Sequence, residues 1–345
     1  MKLDTISEQL SQSSIEVLHA GGAPIACPTN VEQAQEVLAR AAESDLRVVP
    51  AGLGSKLGWC RPEVSAGEPL LVLSTRRMDQ VLEYVAGDGT LSAQCGASMR
   101  DLALHVSQGG HQLTPDVANP AGATLGGVLS AGQSGIDRML YGPVRHHVLG
   151  VSALLADGKV ARSGGRLVKN VTGFDLHRLY TGSRGTLCVL LEASMRLFSI
   201  PEDERAFSFT CADEAQLDAQ VLALWQARLP VLAMVVEPTG DASGAQVLHL
   251  LLAGRKALLD ATEQRIAALT AAATATTGDA ARALRQRLRD AANVRYRQPA
   301  FEPTNATTPA AQAANKTAQA WMSALRKRFD PSERFACPTF PVRPA

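Results

Sequence analysis

Apolar residues fall along this chain in two alternating ways, at helical spacing and in short β-branched runs. Val31, Ala34, Val37, Leu38 and Ala41 recur every three or four positions and predict a helix ending near Ser44. Thr29 followed by Glu32 has the spacing of a capping box, with Asn30 as an alternative cap. Residues 1–23 ahead of it read as a short amphipathic lead-in. Val48–Pro50, Leu70–Ser74, Met78–Val85 and Thr90–Cys95 read as short strands, the last two joined by Gly87-Asp88-Gly89. Ser98 caps a helix carrying Leu102, Leu104 and Val106, which Gly109-Gly110 stops. Val148–Ala156 is a buried strand that turns at Asp157-Gly158 into a return strand from Val160. The polar stretch Lys169–Arg178 follows, and Gly182–Arg196 ends in a long apolar strand.

Beyond Pro201 the order changes. Ala206–Thr210 reads as a strand, and Asp213–Arg228 as a helix with Leu217, Val221, Leu224 and Trp225 on one face. Strands Val231–Glu237 and Gln246–Ala253 flank a turn at Pro238–Gly244, and helix Lys256–Ala271 follows. This β-α-β-β-α order is most of a ferredoxin-like unit. Ala271–Thr277 reads as low-complexity sequence, Asp279–Val294 as a basic helix and Thr304–Ala318 as an alanine-rich connection. A last helix, Gln319–Phe329, precedes a proline-rich tail.

With 345 residues, 46% of them hydrophobic and 19% charged, the chain fits two soluble α+β domains, 1–200 and 201–345. A net charge of +1 gives no electrostatic footprint for nucleic acid. No run of about 18 apolar residues occurs. The start, MKLDTISEQLSQSS, lacks the basic and apolar regions of a signal peptide. The six cysteines are far apart and form no CxxC pair, so reduced thiols in a cytoplasmic protein are expected, with no metal site.

The candidate chemistry starts at Val48–Lys56, VVPAGLGSK. Pro50, Ala51, Gly52, Leu53, Gly54, Ser55 and Lys56 combine a bare turn, a hydroxyl and a cation, the parts of a concave anion site. Lys56 is followed by Leu57, which excludes a Walker A loop. The third glycine, Gly58, falls one residue late for a Rossmann fingerprint. Two more glycine-rich segments, Gly122–Gly135 and Gly182–Gly185, give this turn its weight. Gly122, Ala123, Thr124, Gly126 and Gly127 form a small-residue surface that Ser130, Ser134 and Gly135 extend.

The ordered set PAGLGSK, GATLGG, VRHHVLGVSALLADG and KNVTGFDLHRLYTGSRGTLCVL resembles the FAD-binding domain of the vanillyl-alcohol-oxidase and p-cresol-methylhydroxylase (PCMH) superfamily, over about residues 20–200. KNVTGFDLHRLYTGS and the closing RKRFDPSERF look most like the family of FAD-binding subunits of bacterial glycolate oxidase. The resemblance implies a two-subdomain PCMH-type FAD-binding domain, then a small ferredoxin-like α+β cap and C-terminal helices. It implies that Pro50–Lys56 wrap the FAD pyrophosphate, that Ala123–Gly127, Ser134 and Gly135 run along the flavin and ribityl region, that Gly182–Val189 close the adenine side or the subdomain contact, and that Pro115, Asp116 and Gly122 also belong to the cofactor site.

About four charge-assisted hydrogen bonds at about 1.5–3 kcal/mol each supply much of a nanomolar affinity. No histidine lies between His19 and His105, so noncovalent FAD is expected. The implied partners are a second FAD subunit and an iron–sulfur subunit, with any membrane contact made through them, and the implied substrate is a small 2-hydroxy acid. The alternatives are a self-sufficient FAD-dependent 2-hydroxy-acid (lactate-type) dehydrogenase and a flavin-free structural subunit. Two departures from the family pattern stand out: Arg184 replaces the usual acidic residue of GSEG, and His147 an aspartate after Arg145. The cap holds only His249, so no residue is assigned as catalytic base, and Arg145, Arg178 and Arg184 are equal candidates for a carboxylate clamp.

Overall fold

A computed structural model of the chain describes residues 2–57, 69–166, 174–240, 244–269, 273–291, 295–296 and most of 321–335. Residues 169–173, Thr304–Ala318 and the proline-rich tail lie outside the described residues. Helix α1 (Lys2–Gln12) buries Ile6 and Leu10 and leads into a hairpin of β1 (Glu16–Ala20) and β2 (Ala23–Cys27). The lead-in pattern hid this hairpin because β1 is mostly exposed and shows no alternation of burial. Helix α2 (Val31–Glu43) starts at Asn30, whose side chain accepts from the Gln33 N–H. Thr29 bonds instead to the Gln33 side chain, so the alternative cap is the one used. Strands β3 (Arg47–Ala51) and β4 (Leu70–Ser74) run parallel and complete a four-stranded sheet, β1-β2-β4-β3.

The second subdomain comprises β5 (Val81–Val85), β6 (Thr90–Gln94), α3 (Met99–Ser107), β7 (His111–Gln112), α4 (Leu125–Ala131), α5 (Arg138–Tyr141), β8 (Val148–Leu154), β9 (Val160–Gly164), α6 (Leu176–Tyr180), β10 (Val189–Arg196) and β11 (Phe198–Ser199). Its sheet is antiparallel, β5-β6-β10-β8-β9, and β7 pairs with β11 beside it. Leu102, Val106, Leu125, Val128 and Leu129 pack from α3 and α4 into the core on this sheet. Leu154, Val189 and Leu191 join the core of the first subdomain with Leu71 and Leu73. The two subdomains therefore share an apolar seam at β10.

The remaining unit runs β12 (Asp203–Cys211), α7 (Glu214–Gln226), β13 (Val231–Pro238), β14 (Gln246–Gly254), α8 (Lys256–Leu269), β15 (Thr274–Thr277), α9 (Gly278–Asp290) and β16 (Arg295–Tyr296). The antiparallel order β15-β12-β14-β13, with β16 at the edge, completes the ferredoxin-like arrangement. The missing strand is β15, inside the stretch that reads as low complexity. Its threonines pair with Arg205–Ser208, and β-branched side chains suit that position. Leu104 and Trp225, expected on apolar faces, are exposed.

The chain then returns to the first domain. Phe335 is fully buried in the first-subdomain core, and Val48 N–H donates to Arg334 O at 2.8 Å, extending the open edge of β3. The buried Asp330 carboxylate accepts from the N–H groups of Arg334 (2.6 Å) and Phe335 (2.7 Å). Arg334 donates in turn to the carbonyls of Ala41 and Leu46. The tail expected to belong with the cap thus clasps the strand that feeds the glycine turn.

Candidate functional site

β3 and β4 are parallel, and the chain leaves both at the same end of the sheet. At that end Ser74 Oγ donates to Gly52 O at 2.7 Å and ties the glycine turn to β4. Among the described residues, the N–H groups of Leu53, Gly54 and Ser55 donate to no protein acceptor. Gly54 has φ +87°, and a Cβ there would meet only Leu57 Cδ1 at 3.7 Å. The turn faces a cleft whose walls are Val49–Leu57, Thr75, Thr124, Gly126, Gly127, Ser130, Ala131, Arg184, Gly185, Val189 and Leu190. All three glycine segments meet there.

Their bareness has a different cause from the one the sequence suggests. A Cβ on Gly52 would overlap the Thr124 hydroxyl, and one on Gly126 would lie 2.8 Å from Cys95 Cβ. One on Gly185 would press on the Pro50 ring at 3.4 Å. These glycines let the segments interlock with each other, whereas Gly54 and Gly182 have room for a Cβ. Thr124 is the N-cap of α4, its hydroxyl accepting from Gly127 N–H at 3.2 Å. The GATLGG segment is therefore the start of a helix and not a continuous loop. The turn at Arg184 is tied to the end of α4 by Gly182 N–H to Leu129 O (2.9 Å) and Arg184 N–H to Ser130 O (2.7 Å).

Residues 23–164, which include the first two glycine segments, match the family model described as FAD binding domain. Residues 23–164 are an FAD binding domain. The chain is 33% identical to the glycolate oxidase subunit GlcD of Bacillus subtilis over 183 residues, which is 52% of this chain and 38% of that protein. It is 34% identical to the D-lactate dehydrogenase of Archaeoglobus fulgidus, over 50% of this chain and 38% of that one. It is 30% identical to the D-2-hydroxyglutarate dehydrogenase of Stutzerimonas stutzeri, over 67% and 49%. The chain thus spans half or less of the length of these relatives.

The fold is shared with solved structures of alkyldihydroxyacetonephosphate synthase and of a carbohydrate oxidase from Microdochium nivale. The TM-scores are 0.64 and 0.63, the identities 19% and 17%. The alignments cover 77% and 81% of this chain, and 54% and 63% of those chains.

The residues present fit FAD. The cleft offers free amides at Leu53–Ser55, and its described walls carry Lys56 and Arg184 but no carboxylate. Burial lowers the Lys56 pKa, as expected for an ammonium inside such walls.

Of the sequence-predicted residues, Pro50–Lys56, Thr124, Gly126, Gly127 and Val189 line the cleft, whereas Pro115, Asp116, Gly122, Ala123, Ser134 and Gly135 do not. The Thr114–Pro115 peptide is cis. Asp116 faces α9, with Arg285 Nη2 and Arg289 Nη1 at 2.9 and 2.8 Å from its two oxygens. A Cβ on Gly135 would overlap the Asp116 backbone, and Ser134 Oγ accepts from Val144 N–H at 3.1 Å. Ala123 is core, and Gly122 lies against Asn119. Of these six residues, Asp116 is the one that pairs with α9 of the cap.

Val49, Leu57, Thr75, Ala131 and Leu190 complete the cleft without having been assigned to it. Thr75 was legible in principle, since it follows the strand parallel to β3 and open α/β sheets bind ligands at the carboxyl ends of such strands.

His147 and His249 are both held by hydrogen bonds at both ring nitrogens. Buried His147 donates from Nε2 to Tyr141 O (2.7 Å) and accepts from the Thr114 hydroxyl at Nδ1 (3.0 Å). Burial lowers its pKa, so the ring is neutral. His249 takes the Ser208 hydroxyl at Nδ1 (2.9 Å) and faces Glu237 at 3.3 Å through Nε2. Of the three arginine candidates, only Arg184 lines the cleft; Arg145 is exposed and Arg178 pairs with Asp175 on the surface.

Proposed function

We propose that this chain is the FAD-binding subunit of a glycolate oxidase or dehydrogenase complex, which oxidises glycolate to glyoxylate and passes electrons through FAD to an iron–sulfur partner beside a second FAD subunit. The observation that carries the reading is the single cleft on which three distant glycine segments converge, with free amides and two cations in its walls. The names of the relatives, a glycolate oxidase subunit and dehydrogenases of D-lactate and D-2-hydroxyglutarate, support 2-hydroxy acids as the substrate class. In this reading the Leu53–Ser55 amides hold the pyrophosphate, Thr124, Gly126 and Gly127 flank the ribityl chain, and Val189 and Leu190 give an apolar wall. When bound noncovalently, FAD supplies the hydride acceptor for the hydroxyl-bearing carbon of a 2-hydroxy acid.

The hydroxyl proton of such a substrate needs a base. His147 and His249 have both ring nitrogens engaged, and Arg285 and Arg289, which would suit a substrate carboxylate, hold Asp116. These engagements support a subunit that carries flavin for the assembly and leaves substrate oxidation to its partner. The test is a tagged co-purification read by absorption spectrum, then anaerobic addition of glycolate or D-lactate. Flavin, iron–sulfur absorption and co-purifying chains are expected, with flavin bleaching only when the partners are present. Bleaching by the isolated chain would make it a self-sufficient dehydrogenase, and a colourless chain after expression with excess FAD would make it structural.

A further inference from the structure

The cap shows solvent an apolar stripe that its own core does not use. Helix α7 buries Leu217, Val221 and Leu224, yet Leu222 and Trp225 are 48% and 39% exposed. Positions 222, 225 and 226 are three and four residues apart and share one side of the helix. Trp225 and Gln226 continue into a groove at the junction of the cap and the FAD-binding domain. Met139 and Leu140 line it from α5, and Leu224, Leu229 and Pro230 line it from the cap. Met139 also packs on the cap core, so both units build the groove.

The charge around it has one sign. Among the described residues of its walls, Arg228 is the one that is charged. Arg138 precedes Met139 on α5, and Arg265 of α8 donates to Ala227 O, next to Arg228. All three arginines are exposed, and among the described residues none of them forms an ion pair. Trp, Met and Arg are the residues enriched in protein interfaces, where a large apolar surface meets a fork of donors for carboxylate. A second copy of this chain suits the groove poorly, because a twofold pairing sets the same arginines against each other.

We propose that this groove is the docking site for an acidic segment of a partner subunit, with one aromatic or long aliphatic side chain seated among Met139, Leu140 and Leu229 and with carboxylates facing Arg138 and Arg228. The inference rests on the chain being a subunit of a larger assembly. A segment seated there touches both α5 and α7, and so ties the cap to the FAD-binding domain.

The test uses the full chain, expressed with excess FAD and purified by a tag together with its partners, each identified by mass spectrometry. Benzoylphenylalanine in place of Leu222 is expected to cross-link on illumination to a partner peptide rich in aspartate or glutamate. Hydrogen exchange over residues 222–231 is expected to slow in the complex relative to the isolated chain. Arg228→Glu and Trp225→Ala are each expected to weaken the complex at least tenfold, with flavin absorbance and the urea midpoint unchanged. Added salt is expected to weaken the wild-type complex more than that of Arg228→Gln. Leu104→Ser, which removes an exposed apolar side chain from α3, is expected to leave the complex intact. Wild-type affinity in both Arg228→Glu and Trp225→Ala, an equal loss in Leu104→Ser, or a cross-link to a second copy of this chain would overturn the docking site and leave the subunit reading standing. A wild-type chain that purifies alone would overturn the subunit reading and the docking site together.

Discussion

A single methyl group distinguishes the glycines around the cleft. At Gly54 it would find open space but an unfavourable φ of +87°. Gly54→Val is expected to fold, with a cost of about 1–3 kcal/mol in strain, and to lose FAD because the branched chain stands where phosphate would lie; unchanged flavin absorbance would refute that placement. At Gly126 the methyl would crowd Cys95, at 2.8 Å from Cβ and 3.0 Å from the carbonyl oxygen. Gly126→Ala is expected to lose about 1–3 kcal/mol in urea unfolding whether or not flavin is present. The contrast explains which part of the site was readable in advance. Pro50–Lys56 are consecutive, and a strand followed by a bare turn announces itself. Thr75 and Leu190 reach the cleft from separate elements, which no local pattern reveals. The purpose of Gly52 was obscured too, because Thr124, the atom it makes room for, lies 72 positions away.

Elements repeat the lesson at a larger scale. Helices α2, α3 and α7 were plain because cap residues and an apolar stripe agree, at Asn30, Ser98 and Asp213. Helix α4 was hidden by its own glycines, whose low helical propensity is overridden by packing on Cys95 and Ala97. Strand β15 was hidden by composition, since alanine and threonine become a strand here through pairing with β12. The clasp on β3 was visible as a motif, FDPSERF, without its mechanism. Asp330 is 1% exposed and satisfies two backbone N–H groups with one carboxylate. Asp330→Ala is therefore expected to cost about 2–3 kcal/mol in chemical denaturation, with Asp330→Asn recovering part of it, because one acceptor returns. A loss below 0.5 kcal/mol would mean that the tail contributes little to β3.

The molecule as a whole is joined by charge between the Asp116 loop and α9. Asp137 sits within that joint, its Oδ1 accepting from Asp116 N–H at 3.2 Å and its Oδ2 lying 3.8 Å from Arg285. Burial, then the neighbouring Asp116 carboxylate, pushes its pKa up to about 6. The unfolded chain gives up that proton near pH 4. Folding therefore favours the protonated form, and this contribution is full below about pH 4 and lost as pH rises through about 6. Relative to wild type, Asp137→Asn is expected to gain about 1–3 kcal/mol in urea stability between pH 4.5 and 7.5; parallel curves would exclude Asp137 as the titrating group. The clasp at β3 has a further consequence, for the birth of the protein on the ribosome. Leu46 and the Arg334 that secures it lie 288 positions apart in the chain. At about 5–20 residues per second, the strand leading to the flavin cradle waits roughly a quarter of a minute to a minute for its last neighbour. Through that interval its edge is bare, and a nascent chain stalled short of Phe335 would present it to any other unpaired strand.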